Sequence, residues 1–415
     1  MIEGMDVYSI MMPMRRPFVH ASMTRDHSDG VLVAISVAGA VGTGESAPRP
    51  YVTGETTETV IDALSRLKLE SIDARIDWST FETSVQSLIG LNLPQLLAMG
   101  SRRSPAAACA LETALLDAIC RLHGASMFDA LSFCSLGRGM LLSAPQVIAA
   151  TLTIDLSMTP EEVFRMEPAL SRGIRHVKIK VGADERSIAK ARRFKDMLEP
   201  GISTSIDANG AWSLSQALPL CRQLKEAGLG WIEEPLRPRD WEGLRQLRRD
   251  SGLSVMLDES FVDEDDLMSA VSHQACDLIN VRVSKCGGPL RVARFADLAV
   301  RQGLGFQIGV QVGEHGPLWA AGRVLAASLR HSQACEVGRA DEWFPSDISI
   351  PPFPINRDTY EAPPLPGPGH GLTPGPAMWA HANHAFSYPP DALATNSNDG
   401  RSPSRQLSTR SPHGK

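Results

Sequence analysis

The run HVKIKV at residues 176–181 decides how this chain is read, because the same kind of run returns four times at nearly constant distance. ISTSIDA (202–208), GWIEEP (230–235), SVMLDES (254–260) and LINVRVSK (278–285) follow it. Each is short and rich in β-branched residues, and each carries an ionisable residue at or near its C-terminal end: Lys180, Asp207, Glu233, Asp258 and Lys285. The intervals are 27, 26, 25 and 27 residues, room for one strand, one turn and one helix. The gaps hold stretches with apolar period near 3.6, such as LSQALPLCRQLKEAG (214–228). IAATLTI (148–154) precedes this series, and GFQIGV (305–310) and ACEVG (334–338) follow it, which makes eight runs. Strands alternating with helices predict a parallel sheet, and eight units predict its closure into a barrel. In such a barrel the C-terminal strand ends converge on one mouth, where active sites are built.

Outside the series the pattern changes. Residues 5–50 carry strand-like segments such as VLVAISV (31–37), and residues 56–99 read as mostly helical. PAAACALETALLDAICRLHG (105–124) predicts a helix, with Pro105 near its start and Gly124 just past its end. Its face of Ala108, Ala114 and Ala118 implies close packing against another element. The expected organisation is an α+β capping domain over 1–140, an α/β barrel over 141–345, a return segment to the capping domain over 346–387, and a tail over 388–415. Residues 344–376 are rich in Pro and Gly, and PPDALATNSNDGRSPSRQLSTRSPHGK (389–415) lacks the apolar content that ordering requires.

Of the 415 residues, 43% are hydrophobic and 21% charged, and the formal net charge is −6. That balance, without basic clusters, predicts neither a nucleic-acid nor a membrane partner. Seven cysteines lie between Cys109 and Cys335 with no CxxC pair, so reduced thiols in a cytoplasmic protein are expected. The opening MIEGMDVYSIMMPMRRP places Glu3 and Asp6 first and has no long apolar core, unlike a signal peptide. No apolar run approaches the ~20 residues of a membrane span.

Asp207, Glu233 and Asp258 are three acids expected at one mouth, and converging carboxylates repel each other without a counter-charge. A hard divalent cation resolves this: Mg²⁺ takes oxygen ligands and keeps positions open for water or substrate, and Mn²⁺ is the alternative. The competing reading of each acid alone is an N-cap for the following helix. Lys178 and Lys180 are two apart and share a strand face, opposite Val177, Ile179 and Val181. Pointed inward, they are costly alone but suited to a carboxylate cluster. Lys285 ends the sixth run, across the barrel from Lys180. A lysine in such surroundings can serve as a base near neutrality.

The set KIK (178–180), DAN (207–209), IEEP (232–235), LDES (257–260) and SKCGG (284–288), in this order, resembles the enolase superfamily, and within it the muconate-lactonizing (muconate cycloisomerase) subgroup of the mandelate racemase/muconate lactonizing enzyme family. ALETALLDA (110–118) and GPGHGLTPG (367–375) are similar to the family's helix before the barrel and its C-terminal return, so the resemblance covers about residues 5–380. It implies a modified TIM barrel, (β/α)7β, under a capping domain. It implies Mg²⁺ on Asp207, Glu233 and Asp258, with Lys180 and Lys285 as the acid/base pair around an enediolate and Lys178 assisting. Lysine at the sixth-strand position is what points to the muconate-lactonizing subgroup. Asn209, Glu234 and Arg282 are expected to support the site. Glu314, in GVQVGEHG, is expected near the mouth. Specificity is expected from loops at Arg15–His27 and Arg49–Thr56, including Arg16, Tyr51 and Thr53. The eighth run, ACEVGRADEW, lacks the Asp-x-Asp of an alanine-glutamate dipeptide epimerase.

The expected activity is therefore removal of a proton α to the carboxylate of a small-molecule substrate, giving racemisation, epimerisation or cycloisomerisation, in a homo-oligomer. A dehydratase expelling a β-hydroxyl is the alternative, and a non-catalytic barrel scaffold is the second. A Schiff-base aldolase fits the three acids poorly.

Overall fold

The computed structural model describes residues 1–20, 23–100, 103–154, 159–167, 170, 173–336, 343–344, 348–352 and 355–389. A long antiparallel hairpin, Ile2–His20 against Met23–Val37, opens the chain. Alternation drives it: Met5, Val7, Val31, Val33, Ile35 and Val37 are all buried in the main core. The next strand, Ala40–Ser46, is joined by a two-residue turn in which Ala38 (φ 45) and Gly39 (φ 79) are both left-handed, the geometry that matches strand twist. The strand Ala382–Tyr388 pairs with the outer side of Ile2–His20, so the chain's return completes a four-stranded sheet.

The helix Pro105–Leu122 lies on this sheet, and its residues Pro105 through Cys120 are buried. Glycine permits the approach. A Cβ at Gly42 would fall 2.2 Å from Ala118 N, and one at Gly44 would fall 2.1 Å from Ala110 O. Of the alanines foreseen as a close-packing face, Ala114 and Ala118 meet these glycines, joined by Ala110, and the short helices Thr57–Ser65, Leu69–Asp73, Phe81–Gly90 and Leu93–Leu96 occupy the stretch read as helical.

Eight parallel strands form the second unit: Leu152–Ile154, His176–Lys180, Ser203–Asp207, Trp231–Glu233, Ser254–Leu257, Leu278–Arg282, Gly305–Gly309 and Ser332–Cys335, in sequential order. A backbone hydrogen bond from Thr151 N to Cys335 O, 2.6 Å, links the first and last. Helices fill the seven gaps, as in (β/α)7β. They are amphipathic: Leu214–Glu226 buries Ala217, Leu220, Cys221 and Leu224 and exposes its charges.

Three boundaries differ from expectation. Of the first run, IAATLTI, only Leu152–Ile154 joins the barrel, while Ile148–Ala149 pairs with Glu361–Ala362. The sixth strand ends at Arg282, and Lys285 stands on a one-turn helix, Val283–Cys286, that breaks at Gly287 (φ 92) and Gly288 (φ 123). The eighth strand starts at Ser332, two residues before the run read for it.

Buried acids of the capping domain fasten it to the barrel. Glu45 accepts from His315 N (2.7 Å) and Leu318 N (3.2 Å), and Glu112 accepts from Leu290 N (2.9 Å). Leu318 and Leu290 lie in the first turns of Pro317–Ser328 and Pro289–Arg301, where backbone N–H groups lack helical partners. Arg49, wholly buried, donates to Val312 O at 2.7 Å. All seven cysteines are buried, and none is paired in a disulfide. Among the described residues, no helix is long and apolar enough to cross a membrane.

Candidate active site

Parallel register sets the site. Lys180 pairs with Asp207, and Asp207 with Glu233, so three strand ends stand level; Asp258 follows the end of the fifth strand. The helix caps come from other residues: Asp184, Ser213, Asp240 and Asp263 accept the first-turn N–H bonds. The N-cap reading of Asp207, Glu233 and Asp258 is thereby removed.

Lys178 Nζ lies 3.2 Å from Asp207, 2.8 Å from Glu233 and 2.9 Å from Glu336. Lys180 Nζ donates to Asp207 Oδ2 at 3.2 Å and Asn209 Oδ1 at 3.0 Å. Arg282 is ion-paired to Asp258 and lies 3.7 Å from Glu233. Lys285 is fully buried and donates to Asp258 O (2.6 Å), Asp258 Oδ1 (2.9 Å) and Asn280 O (2.8 Å). The six residues named for catalysis and metal binding are thus joined, through Arg282, in one chain of charge contacts, with Lys180 at one end and Lys285 at the other.

The supporting residues divide. Asn209 and Arg282 belong to the cluster. Glu234, held in left-handed backbone (φ 34), turns away and accepts from Asp258 N (2.7 Å) and Ser260 N (3.2 Å), so it braces the fifth-strand loop. Glu314 is buried in the seventh-strand loop, accepting from Gln311 N at 2.6 Å, and of the cluster it feels the charge of Arg282. Tyr51 is 37% exposed and lies near Arg49. The stretch Arg15–His27, expected as a loop, is instead the end of the opening hairpin, with Phe18 paired to Arg25 and His20 to Met23. Its Arg16 side chain and residues 21–22 lie outside the described residues, as do residues 337–342 after the eighth strand and the tail from 390.

Two residues escaped the sequence reading. Glu336 follows the eighth strand, takes Lys178 through one oxygen, and accepts Val310 N at 3.2 Å through the other. Its signal was its place at the end of a strand run, as for the other acids. Asn280, on the sixth strand, donates to Glu233 Oε1 at 2.9 Å.

The electrostatics follow from burial against charge. Burial disfavours the Lys178 ammonium, yet Asp207, Glu233 and Glu336 outweigh it and raise its pKa well above the ordinary lysine value, so it stays charged. Burial raises Asp207, but Lys178, Lys180 and Arg282 bring it below the usual carboxylate range. Glu233 stays raised, because burial and its acidic neighbours outweigh Lys178. Burial, with Arg282 adding to it, pushes Lys285 down to about 8. Burial raises Glu234 to about 7 and Glu314 well above the glutamate value.

The donor set suits a hard divalent cation: Asp207, Glu233 and Asp258 offer oxygens alone. Glu233 Oε2 is within ion-pair range of Lys178 but receives no aligned hydrogen bond. Among the described residues, no three His, Cys, Asp or Glu side chains already stand as a formed metal shell. Lys178 and Arg282 lie between the acids and take their charge.

The model of the enolase C-terminal domain-like family matches residues 163–378, just over half of the chain. An aromatic dipeptide epimerase of Herpetosiphon aurantiacus is 27% identical over 316 residues, covering 75% of this chain and 82% of that protein. The fold is similar to a muconate lactonizing enzyme of Pseudomonas fluorescens solved with muconolactone (TM-score 0.76, 24% identity, 92% of this chain and 99% of the other). It is also similar to a dipeptide epimerase of Enterococcus faecalis solved with Mg and L-Leu-L-Tyr (TM-score 0.74, 21% identity, 90% and 99%). With the family's matched segment spanning Lys178 through Lys285, the chain belongs to the enolase superfamily.

Proposed function

We propose that this chain removes and returns the proton on the α-carbon of a small carboxylic acid, racemising or epimerising it, with dipeptide-sized amino-acid derivatives as the leading substrate class. The observation that carries this is the placement of two lysines at opposite ends of one carboxylate cluster, Lys180 on Asp207 and Lys285 on Asp258. Transfer at a single carbon with inversion needs a proton carrier on each face. Asp207, Glu233 and Asp258 would hold a divalent cation, Mg²⁺ or Mn²⁺, which when bound supplies positive charge against the substrate carboxylate. Lys178, kept charged by its three acids, adds a fixed cation where the enediolate gathers negative charge. One of Lys180 and Lys285 takes the α-proton as a neutral amine, and the other, as an ammonium, delivers a proton to the opposite face. Asn209 orients Lys180 by accepting one of its N–H bonds. The similarity to a dipeptide epimerase supports this substrate class, and lysine at 285 supports placement on the muconate-lactonizing side of the superfamily.

The test is incubation in heavy water with dipeptides, N-acyl amino acids, muconates and acid sugars, following α-deuteration by NMR and mass. The expected result is deuterium at the α-carbon of both epimers with no other change in mass. Lys180→Ala and Lys285→Ala should each slow exchange of one epimer by about 10²–10⁴-fold. Loss of water from an acid sugar would make it a dehydratase, and muconolactone formation a cycloisomerase. Equal exchange of both epimers in both variants would remove these lysines from the reaction.

A further inference from the structure

Glu233 is wholly buried at the end of the fourth strand, and Asn280 is wholly buried on the sixth. The Asn280 side chain reaches across the fifth strand, and its Nδ2 donates to Glu233 Oε1 at 2.9 Å. The amide can face only one way: turned over, it would set its oxygen against a carboxylate. Its Oδ1, left without a hydrogen bond, lies over the seventh strand at Gly309. A Cβ at Gly309 would fall 2.1 Å from Oδ1 and 2.7 Å from Nδ2. Asn280 thus fills the space where Gly309 has no side chain. The backbone carbonyl of the same residue accepts from Lys285 Nζ at 2.8 Å.

We propose that Asn280 is a positioning residue for the cation site: its amide fixes the carboxylate of Glu233, and Gly309 is the vacancy that lets it do so. A buried carboxylate beside Asp207 and Glu336 is pushed by their charges, and an N–H donor on Oε1 holds that oxygen in place and leaves Oε2, beside Lys178 at 2.8 Å but without an aligned hydrogen bond, as the oxygen to ligate. Hydrogen-bond partners of metal ligands set affinity in this way, and removing one weakens binding by about 10–100-fold. This rests on Asp207, Glu233 and Asp258 being the cation ligands, and the experiment separates the two.

Mn²⁺ is titrated into the full chain and free ion is followed by electron paramagnetic resonance, with no substrate present. Glu233→Gln tests the ligand set. Asn280→Leu keeps the volume and removes the donor, and Gly309→Ala keeps the donor and displaces it. The expected result is a Kd raised 10- to 100-fold in both Asn280→Leu and Gly309→Ala, with melting in chelator unchanged in whichever folds as the wild type does. A role in packing alone would leave Mn²⁺ affinity unmoved in the isosteric leucine variant. If Glu233→Gln weakens binding and both other variants stay within twofold of wild type, the Asn280 proposal is overturned and the ligand set stands. If Glu233→Gln binds as the wild type does, or the wild type binds no Mn²⁺, both fall.

Discussion

Lys178 meets Asp207, Glu233 and Glu336 within 3.2 Å and is 2% exposed, so one ammonium balances much of a buried negative cluster. Removing one partner from a buried ion pair leaves charge uncompensated, at about 3–5 kcal/mol. Lys178→Met is therefore expected to lower the unfolding free energy in chelator by about that amount, read by urea titration; a loss below ~1 kcal/mol would show that Arg282 and Lys180 suffice. Lys178 was legible in the sequence because its partner Lys180, two residues on, marks the inward face of a strand. So were Asp207, Glu233 and Asp258, by their spacing. Glu336 was harder to read because its role depends on closure, which carries the end of the eighth strand to Lys178 on the second. Asn280 had no local signal: an asparagine inside LINVR means nothing until the fourth and sixth strands are set on either side of the fifth in the closed sheet.

Strands and helices were legible where period and length agreed. LSQALPLCRQLKEAG declared its buried face, and the structure buries Ala217, Leu220, Cys221 and Leu224. LINVRVSK misled at its end. Alternation continues through Val283, yet the backbone turns helical there, because the capping helix Pro105–Leu122 packs over the turn and Glu112 occupies the space beside Gly288. That is a tertiary cause, invisible to local pattern. The capping helix also shows how an element can depend on a residue with no side chain. At Gly44 an added methyl meets helix backbone, Ala110 O and Ala114 N, at 2.1 and 2.4 Å, and neither can move without the helix moving. Gly44→Ala should cost about 1–3 kcal/mol by overpacking. Gly39→Ala meets nothing within 4 Å and suffers only from its φ of +79, so it should cost about 1 kcal/mol. Urea midpoints of the two variants test the ranking, and a larger loss at Gly39 would refute the packing account.

The whole molecule is held at a seam where the capping domain presents buried acids to barrel helices, and this makes its stability depend on pH. Glu112 is the clearest case. Burial pushes its pKa up to about 7, with Arg291 and the Leu290 N–H pulling only partly against it. In the unfolded chain the same carboxyl titrates at the ordinary glutamate value, near 4.5. Between those two values the folded state holds a proton that the unfolded state has released, so raising the pH destabilises the fold. Each pH unit in that window costs about 1.4 kcal/mol, or about 3 kcal/mol in all, with no further loss from this group above pH 7. His370, buried beside Asp117, has its pKa lowered by burial and gives the opposite slope, losing stability as pH falls below the ordinary histidine value. Glutamine at 112 carries no charge at any of these pH values, and its carbonyl oxygen can still accept from Leu290 N. Glu112→Gln should therefore match the wild type near pH 4.5 and exceed it by up to about 3 kcal/mol at pH 8. The His370 slope is common to both proteins and cancels in the comparison. Urea unfolding of both at pH 5, 6, 7 and 8 measures the difference directly, and parallel curves would mean that Glu112 is already ionised in the folded protein at pH 5.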